Sequence, residues 1–354
     1  MATEDWRKRQ RMIGPVRAWS YSRKGLPKDI LQLQYAATVP KPTKRTPILV
    51  KIYAAALNPD GYALMSLLHS QCACISNTAY TLTPTRSLDP LRSSRIPEID
   101  FSGVVAFGSD LSKTSLHEGD SVYGHVLPSY HISSGVGALS EYVCVSPHWI
   151  CKKPANLSHA QAAALPTVGI SAYHLSKAIQ KGDRVFVNGG SGGVGTILLQ
   201  LLKQKSAYVV STCSQKSRKL VEGLFVDEVI DYEAVENLSA HLANLQAFDV
   251  VIDLVGDTRL YSNSSRFIKS KRGCFIAFGG GLSSTSLLSL CKWLFRTCTT
   301  GYWPALLGGA SIPFRLMLIA KEWQTVEGLD HITSLIEEGV YWPRCGRTRL
   351  KNAI

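Results

Sequence analysis

The fold of this chain is decided by residues 184–195, which read Arg-Val-Phe-Val-Asn-Gly-Gly-Ser-Gly-Gly-Val-Gly. An apolar strand leads directly into a glycine turn, and the apolar residues after the turn repeat with the period of a helix. The pattern G-x-G-x-x-G permits a tight turn, close approach of a pyrophosphate and close packing of helix on strand. This context favours a dinucleotide site over a ligand-free turn of an α/β sheet. The predicted phosphate contacts are Gly190, Ser191, Gly192, Gly193, Val194 and Gly195.

The residues after the next predicted strand, 208–212, indicate which nucleotide would bind. An NAD site carries a carboxylate there, about 20 residues past the first glycine. Here residues 213–219 read Cys-Ser-Gln-Lys-Ser-Arg-Lys, with no acid before Glu222. Hydroxyl groups and cations suit a ribose 2′-phosphate, so the sequence favours NADPH over NADH. The predicted contacts are Ser214, Gln215, Lys216 and Ser217; alternatively, the cations of this stretch only form a solvated first helical turn.

Composition and charge exclude several function classes. The chain has 354 residues, 45% of them hydrophobic, which is enough for two globular domains. The net charge is +13, but residues 1–50 carry 11 basic and 3 acidic residues, and residues 341–354 carry 4 basic and no acidic ones. This excess at the ends argues against a nucleic-acid-binding face and predicts a basic tail over residues 1–14. No run of residues has the length and apolarity of a membrane span.

The number and spacing of the cysteines indicate the cellular compartment. Nine cysteines are scattered without a C-x-x-C pair, and nothing resembles a secretory signal. We therefore expect reduced thiols and a cytoplasmic protein, with a mitochondrial location as the alternative.

The chain changes pattern near residue 158. Residues 15–157 contain short β-rich runs separated by proline and glycine turns, whereas residues 158–320 alternate helix and strand, which predicts a parallel, doubly wound sheet. Ligands bind at the carboxyl ends of such strands, which adds Val255 and Gly279 to the predicted cofactor contacts. The stretch at about 69–94 reads as an inserted loop.

Several short motifs carry a resemblance to a known family. They read Ala-Leu-Asn-Pro-Asp at 56–60, Pro-Glu-Ile-Asp-Phe-Ser-Gly at 97–103, Gly-Asp-Ser-Val-Tyr-Gly at 119–124, Gly-Ala-Leu-Ser-Glu-Tyr at 137–142, Ala-Ala-Ala-Leu-Pro at 162–166 and Asp-Glu-Val-Ile-Asp-Tyr at 227–232. Over nearly the whole chain they resemble the zinc-independent quinone-oxidoreductase branch of the medium-chain dehydrogenase/reductases, including its fungal members. The resemblance implies a Rossmann domain joined to a GroES-like β-rich domain, with the active site in the cleft between them.

The resemblance also bears on zinc. Relatives with catalytic zinc carry Cys at the position of Asn58 and Gly-His-Glu at that of residues 98–100, where this chain has Asn and Glu-Ile-Asp. A catalytic zinc ion needs three thiolate, imidazole or carboxylate ligands. We therefore expect no metal site.

Without a Lewis acid, hydride addition to a conjugated acceptor is favoured, because the developing charge spreads onto an oxygen that a donor or water can stabilise. The resemblance thus implies NADPH-dependent reduction of a small-molecule quinone or α,β-unsaturated carbonyl. The catalytic candidates are Asn58, beside the nicotinamide ribose in the family pattern, and the phenols of Tyr62 and Tyr123, which alternatively only pack. Thr167 and Tyr232 match further cofactor positions, and Asp100 is expected to fix a turn.

Residues 321–354 depart from the family pattern, because they read as a truncated or atypical return to the first domain. Two alternatives therefore stay open. One is a trans-acting enoyl reductase of a polyketide pathway, whose partner would be an acyl carrier domain. The other is a degenerate NADPH-binding sensor or interaction protein. A homodimer is also possible.

Overall fold

The computed structural model describes residues 2–67, 94–108, 111–112, 114–269, 273–278, 312–317 and 321–339. The chain divides into two compact units: unit 1 comprises Met1–Thr167 and Ala320–Ile354, and unit 2 comprises Val168–Ile319. Most of the expected insertion, Gly279 and residues 340–354 lie outside the described residues. The domain boundaries expected from the sequence, after residues 157 and 320, stay predictions.

In its described part, unit 1 contains an antiparallel five-stranded sheet in the order β6-β3-β4-β5-β7 and a separate pair, β1 and β2. The strands are β1 (Val16–Ser20), β2 (Gln32–Ala37), β3 (Ile48–Ala55), β4 (Asp100–Gly108), β5 (Ser121–His125), β6 (Tyr142–Val145) and β7 (Ile150–Lys152). The core of the sheet holds Phe101, Val122 and Trp149, all fully buried. Gly103 is needed in β4, because a Cβ there would lie 3.0 Å from Ile52 Cα and overlap the carbonyl of Lys51.

The first residues of unit 1 differ from the expected tail. Ala2–Ile13 form a helix, α1, whose Trp6 is 4% exposed and packs against Phe107 with ring centroids 5.9 Å apart. Arg9 forms an ion pair with Glu118 at 3.0 Å. A tail was predicted because this stretch contains many cations. The buried indole of Trp6 nevertheless supplies apolar area that stabilises the helix on the β domain. The other helices of this part of unit 1 are α2 (Pro27–Ile30), α3 (Pro59–Leu67), α4 (Pro128–Ser134) and α5 (His159–Ala163).

Unit 2 confirms the predicted doubly wound fold. Its described strands form a parallel sheet in the order β10-β9-β8-β11-β12-β13. They are β8 (Arg184–Asn188), β9 (Tyr208–Cys213), β10 (Glu228–Asp231), β11 (Val250–Asp253), β12 (Cys274–Phe278) and β13 (Phe314–Met317). The described helices are α6 (Pro166–Ser176), which begins in unit 1, α7 (Gly193–Gln204), α8 (Arg218–Glu222), α9 (Leu238–Ala243) and α10 (Thr258–Ser262).

The strand order of unit 2 reverses at one place. From β8 the chain moves outward through β9 and β10, and then returns to β11 on the other side of β8. In open α/β sheets, ligands bind at the carboxyl ends of the strands where such a reversal occurs. The glycine turn follows β8 at this point.

The last described helix, α11 (Glu322–Glu337), belongs to unit 1. Trp149 donates from Nε1 to Glu322 Oε1 at 2.8 Å, and Asn156 donates from Nδ2 to the carbonyl of Ile336 at 3.1 Å. These bonds fix the helix on the β domain. No described helix is long and apolar enough to cross a bilayer.

Candidate functional site

The glycine turn of unit 2 has a shape that only glycine permits. A Cβ on Gly190 would overlap Ser211 Oγ and lie 2.9 Å from Leu199 Cδ1, and a Cβ on Gly195 would lie 2.7 Å from Gly190 Cα. Gly189, which precedes the motif, has a φ of +92°, in the left-handed region that glycine favours. Each of these residues is therefore required by the turn itself.

The start of α7 fits an anionic group. Gly192 is the N-cap residue and is exposed, and no side chain caps the helix. Gly193, Val194 and Gly195 form the first helical turn, where N–H groups have no partner within the helix. A Cβ on Gly192 would meet only the carbonyl of Gly189, at 3.4 Å, so this face is open to an incoming group. The turn thus fits the pyrophosphate of a dinucleotide.

The residues after β9 form a polar, cationic edge. Ser214 and Ser217 are half-buried, and Gln215 and Lys216 are exposed. Arg218 pairs with Glu222 at 2.7 Å, which offsets its charge. Lys216 and Lys219 form no ion pair within the described chain, so they are the cations of this edge that remain for an external phosphate.

Two apolar side chains predicted to contact the cofactor are exposed in unit 2. Tyr232 follows β10 and is 52% exposed, and Val255 follows β11 and is 55% exposed. The exposure of apolar side chains at the ligand-binding edge of the sheet is compatible with a bound adenosine or nicotinamide.

In unit 1, two carboxylates hold Asn58. Glu98 Oε2 accepts from the backbone N–H of Asn58 at 2.9 Å, and Asp100 Oδ2 accepts from Asn58 Nδ2 at 3.1 Å. Glu98 is 3% exposed and has a φ of +62°, an uncommon conformation for a residue with a side chain. Gly61 is needed beside it, because a Cβ there would lie 2.6 Å from the Glu98 carboxyl carbon. The strained backbone therefore serves to aim a carboxylate at the start of α3.

Asp100 also binds Thr167. The Thr167 hydroxyl donates to Asp100 Oδ1 at 2.7 Å, and its backbone N–H lies 3.3 Å from both carboxylate oxygens. Asp100 is 1% exposed. One buried carboxylate thus brings together Asn58 and Thr167, two residues that the sequence analysis had singled out separately.

His125 packs on the same carboxylate. Its Nδ1 lies 3.9 Å from Asp100 Oδ1 and forms no hydrogen bond within the described residues, while Nε2 is 2.8 Å from Thr325 Oγ1 on α11. Complete burial lowers the pKa of His125 to about 4, so the ring is neutral at physiological pH.

The two candidate phenols differ in their surroundings. Tyr62, on α3, is 46% exposed. Tyr123 is fully buried, its hydroxyl is 2.7 Å from Thr333 Oγ1 of α11, and burial raises its pKa. Tyr62 is therefore available to a ligand, whereas Tyr123 would first have to leave a buried hydrogen bond.

The residues around Asn58 do not fit zinc. An amide nitrogen that donates to a carboxylate is not a metal ligand. Across the described ranges, no group of three His, Cys, Asp or Glu side chains is placed to hold a metal ion.

Sequence reasoning missed the residues that orient the site. Asp100 was expected only to fix a turn, and His125, Glu98 and Thr325 received no role. In unit 2, Asn188 and Asp253 were not singled out either. The available signal was the position of Asn188 and Asp253, polar residues that end otherwise apolar strands at the ligand-binding edge of a sheet.

Comparisons with known proteins agree with this architecture. A family model described as zinc-binding dehydrogenase matches residues 193–300. The zinc-type alcohol dehydrogenase-like protein C16A3.02c of Schizosaccharomyces pombe is 28% identical over 313 residues, covering 87% of this chain and 82% of that protein. Trans-enoyl reductase pgmF of Aspergillus terreus is 29% identical over 290 residues, covering 80% of this chain and 74% of that protein.

A third relative and a solved structure extend the comparison. Mitochondrial NAD(P)H oxidoreductase RTN4IP1 of Danio rerio is 31% identical over 247 residues; the match covers 68% of this chain but only 60% of that protein. The structure of the quinone oxidoreductase from Coxiella burnetii has a TM-score of 0.64 at 26% identity and covers 92% of this chain and 88% of that one. The chain belongs to the oxidoreductases of the medium-chain dehydrogenase/reductase superfamily, in the zinc-independent, quinone-oxidoreductase-like branch.

Proposed function

We propose that the protein is an NADPH-dependent, zinc-free reductase that transfers a hydride to a quinone or an α,β-unsaturated carbonyl compound. The observation that carries the proposal is the glycine turn after β8, with its open helix N-terminus and a cationic edge beyond β9. The names of the relatives, which include an NAD(P)H oxidoreductase and a quinone oxidoreductase, support a nicotinamide cofactor.

Each part of the nucleotide has a proposed partner. The pyrophosphate binds the N–H groups of the turn at Gly190–Gly195, the 2′-phosphate binds Ser214–Ser217 with Lys216, and Tyr232 covers the adenosine side. Val255, Thr167 and Asn58 are assigned to the nicotinamide end. These assignments combine the family pattern with the exposure and polarity of the residues.

The geometry at Asp100 limits what Asn58 and Thr167 can do. A carboxylate only accepts hydrogen bonds, so Asn58 Nδ2 and the Thr167 hydroxyl proton are both directed to Asp100. Asn58 can still offer a ligand its Oδ1 acceptor and the second hydrogen of Nδ2, both suited to ribose hydroxyls or a carboxamide, whereas the Thr167 hydroxyl proton is already used. Neither side chain is the proton donor. That role falls to Tyr62 or to water.

NADPH, when bound, supplies the hydride. In an enone the hydride adds to the β-carbon, the electron pair of the double bond moves toward the carbonyl oxygen, and a proton is then added at the α-carbon. In a quinone the same addition of hydride and proton gives the hydroquinone. The protein orients the acceptor, excludes water and supplies the proton.

A second candidate function is a trans-acting enoyl reductase, which reduces an enoyl thioester presented by an acyl carrier domain. The similarity to trans-enoyl reductase pgmF favours it. The two functions differ in substrate, because the enoyl reductase should reduce a carrier-bound enoyl thioester faster than free enones and quinones.

The test has two stages. First, NADPH and NADH are titrated against the protein by nucleotide fluorescence, together with Lys216→Glu and, as a matched control, Lys181→Glu, an exposed lysine elsewhere in unit 2. Because charge-assisted hydrogen bonds contribute about 1.5–3 kcal/mol, Lys216→Glu should weaken NADPH at least about tenfold and leave NADH nearly unchanged. Equal affinity of the wild type for NADPH and NADH would overturn the cofactor assignment.

Second, loss of NADPH absorbance is followed with a panel of quinones, enones and a carrier-bound enoyl thioester. Turnover of quinones or enones supports the proposal, and preference for the thioester supports the second candidate. Tight NADPH binding without any turnover would instead support the degenerate sensor. For location we propose the cytoplasm, and the mitochondrial relative makes mitochondria the alternative that imaging of a tagged chain would reveal.

A further inference from the structure

Three polar side chains lie at the carboxyl ends of three neighbouring strands of unit 2, beneath the glycine turn. Asn188 ends β8, Asp253 ends β11, and Thr212 is the next-to-last residue of β9. Asn188 lies opposite Asp253 in the strand register. All three are nearly inaccessible, at 5%, 2% and 1% exposure. Buried polar groups at such a place are expected to be paired with one another or with the backbone.

The three side chains form a hydrogen-bonded chain with one direction. The backbone N–H of Gly189 donates to Thr212 Oγ1 at 2.8 Å, and the Thr212 hydroxyl donates to Asn188 Oδ1 at 2.7 Å. Asn188 Nδ2 then donates to Asp253 Oδ1 at 2.9 Å. We call Thr212, Asn188 and Asp253 the strand-end relay.

Asp253 sets the direction of the strand-end relay. Its Oδ1 also accepts from the backbone N–H groups of Val255 at 3.0 Å and Gly256 at 3.1 Å. Because a carboxylate only accepts, Asn188 must turn its NH₂ group toward Asp253 and its oxygen toward Thr212. The single Thr212 proton is thereby used, and its oxygen is left to accept from Gly189.

Both ends of the relay lie on ligand-binding segments. Gly189 begins the glycine turn, and Val255 lies in the segment that follows β11, at the reversal of strand order. The two segments touch, since a Cβ on Gly189 would lie 2.9 Å from Val255 Cγ2. A change in the relay would therefore shift the backbone at two places that the proposed function assigns to the cofactor.

We propose that Asn188, Thr212 and Asp253 are positioning residues for nucleotide binding, which hold the glycine turn and the Val255 segment in a single arrangement. The inference rests on the proposed function and adds to it the residues that determine cofactor affinity without touching the cofactor. Burial raises the pKa of Asp253, and the three donors on Oδ1 oppose this, so the site retains an acceptor at the end of the relay.

The first test uses Thr212. Thr212→Val keeps the shape but removes the hydroxyl, which leaves the Gly189 N–H and the Asn188 oxygen unpaired, whereas Thr212→Ser keeps the hydroxyl and is the matched control. A lost hydrogen bond with an unpaired buried partner costs about 1–3 kcal/mol, so the KM for NADPH should rise roughly 5- to 150-fold in Thr212→Val. In Thr212→Ser it should stay within about threefold of the wild type. The kcat at saturating NADPH should change little in both variants.

The second test exchanges Asn188 and Asp253. Asn188→Asp places two carboxylates against each other, so this variant should weaken NADPH by at least about tenfold, whereas Asp253→Asn keeps the Oδ1 acceptor and should weaken it less. The double variant Asn188→Asp/Asp253→Asn can form every bond of the wild type. The carboxylate introduced on β8 would accept from Thr212 and from the amide introduced on β11, whose oxygen accepts from Val255 and Gly256. The affinity of the double variant for NADPH should return to within about fivefold of the wild type.

A structural role alone predicts a different result. Leu242→Ala removes a fully buried side chain of α9 that lies outside the relay, so it should lower the melting temperature without changing the KM for NADPH. If Thr212→Val and Asn188→Asp also lose only thermal stability, or if the double variant binds NADPH no better than Asn188→Asp, the proposal is overturned.

Failure of the proposed function gives a separate outcome. If the folded wild type binds neither nucleotide, the proposed function fails, and the relay is tested by hydrogen exchange instead. Thr212→Val, which removes the acceptor of the Gly189 N–H, should then speed exchange at the Gly189 amide at least about tenfold over the wild type. Unchanged exchange would overturn the relay.

Discussion

The stability of unit 1 should depend on pH through His125, which supplies the most quantitative prediction. The ring is buried between Asp100 and Thr325, and burial lowers its pKa from 6.5 to about 4. An unfolded chain would bind a proton near pH 6.5, while the folded chain would not until near pH 4. Stability from this group is therefore fully present above pH 6.5 and is lost as the pH falls toward 4.

The magnitude follows from the two pKa values. Between about pH 7 and pH 5, the unfolded state gains most of a proton that the folded state refuses, which lowers the free energy of unfolding by about 2 kcal/mol. The full loss, over the whole window, is about 3 kcal/mol. One group opposes this: the Asp100 carboxylate, 3.9 Å from Nδ1, favours the charged ring. Burial has the larger effect on the pKa of His125, because the ring is completely enclosed.

The assay compares the wild type with His125→Gln, which keeps a polar atom within reach of Thr325 and does not titrate. Urea unfolding is followed by tryptophan fluorescence, to which Trp149 in the core of unit 1 contributes, and comparing the two proteins at each pH cancels the signal of the other tryptophans. The wild type should lose about 2 kcal/mol more than His125→Gln between about pH 7 and pH 5. Equal losses in the two proteins would refute the reasoning, since they would show that Asp100 offsets the burial of the ring.

Further predictions follow from contacts in both units. Gly190→Ala should destabilise unit 2 by about 1–3 kcal/mol, because its Cβ would overlap Ser211. Gly192→Ala should melt at the same temperature as the wild type but bind NADPH more weakly. Melting curves and NADPH titrations of both variants separate the two effects. Trp6→Ala should lower the free energy of unfolding of unit 1 by about 3–5 kcal/mol, while Arg7→Ala, at an exposed position of the same helix, should not; equal effects in urea unfolding would contradict the packing of α1. Glu322→Ala should cost about 1–3 kcal/mol by leaving Trp149 Nε1 unpaired, and Glu322→Gln, which keeps an acceptor oxygen, should cost less; the reverse order in thermal melts would rule out this contact.

The parts of the fold that the sequence predicts are those encoded locally. The glycine turn and the parallel sheet follow from short-range patterns, because a few consecutive residues are enough to indicate a turn or an apolar strand. The N-terminal helix was not predicted, because charged residues dominate the local sequence there. The contact that holds the helix is made by one residue, Trp6, which packs on the distant β domain and does not alter the local pattern.

The candidate site shows where local reasoning ends. Asn58 and Thr167 were each predicted from a family pattern, but their common partner, Asp100, is 42 residues from one and 67 from the other. Only the folded sheet brings these three together. The same holds for the strand-end relay, whose members come from three strands separated by helical crossovers. A single sequence does not show which distant residues will be in contact, so only the structure reveals how the site residues are oriented.

The dinucleotide site at the glycine turn is tested most directly by calorimetric titration of the folded protein with NADPH, repeated with Gly192→Ala. The wild type should bind NADPH saturably and the variant clearly more weakly, with melting curves that coincide. Heat that stays at the level of dilution for the wild type, up to millimolar NADPH and with the fold intact, would contradict the claim that the turn after β8 holds a dinucleotide.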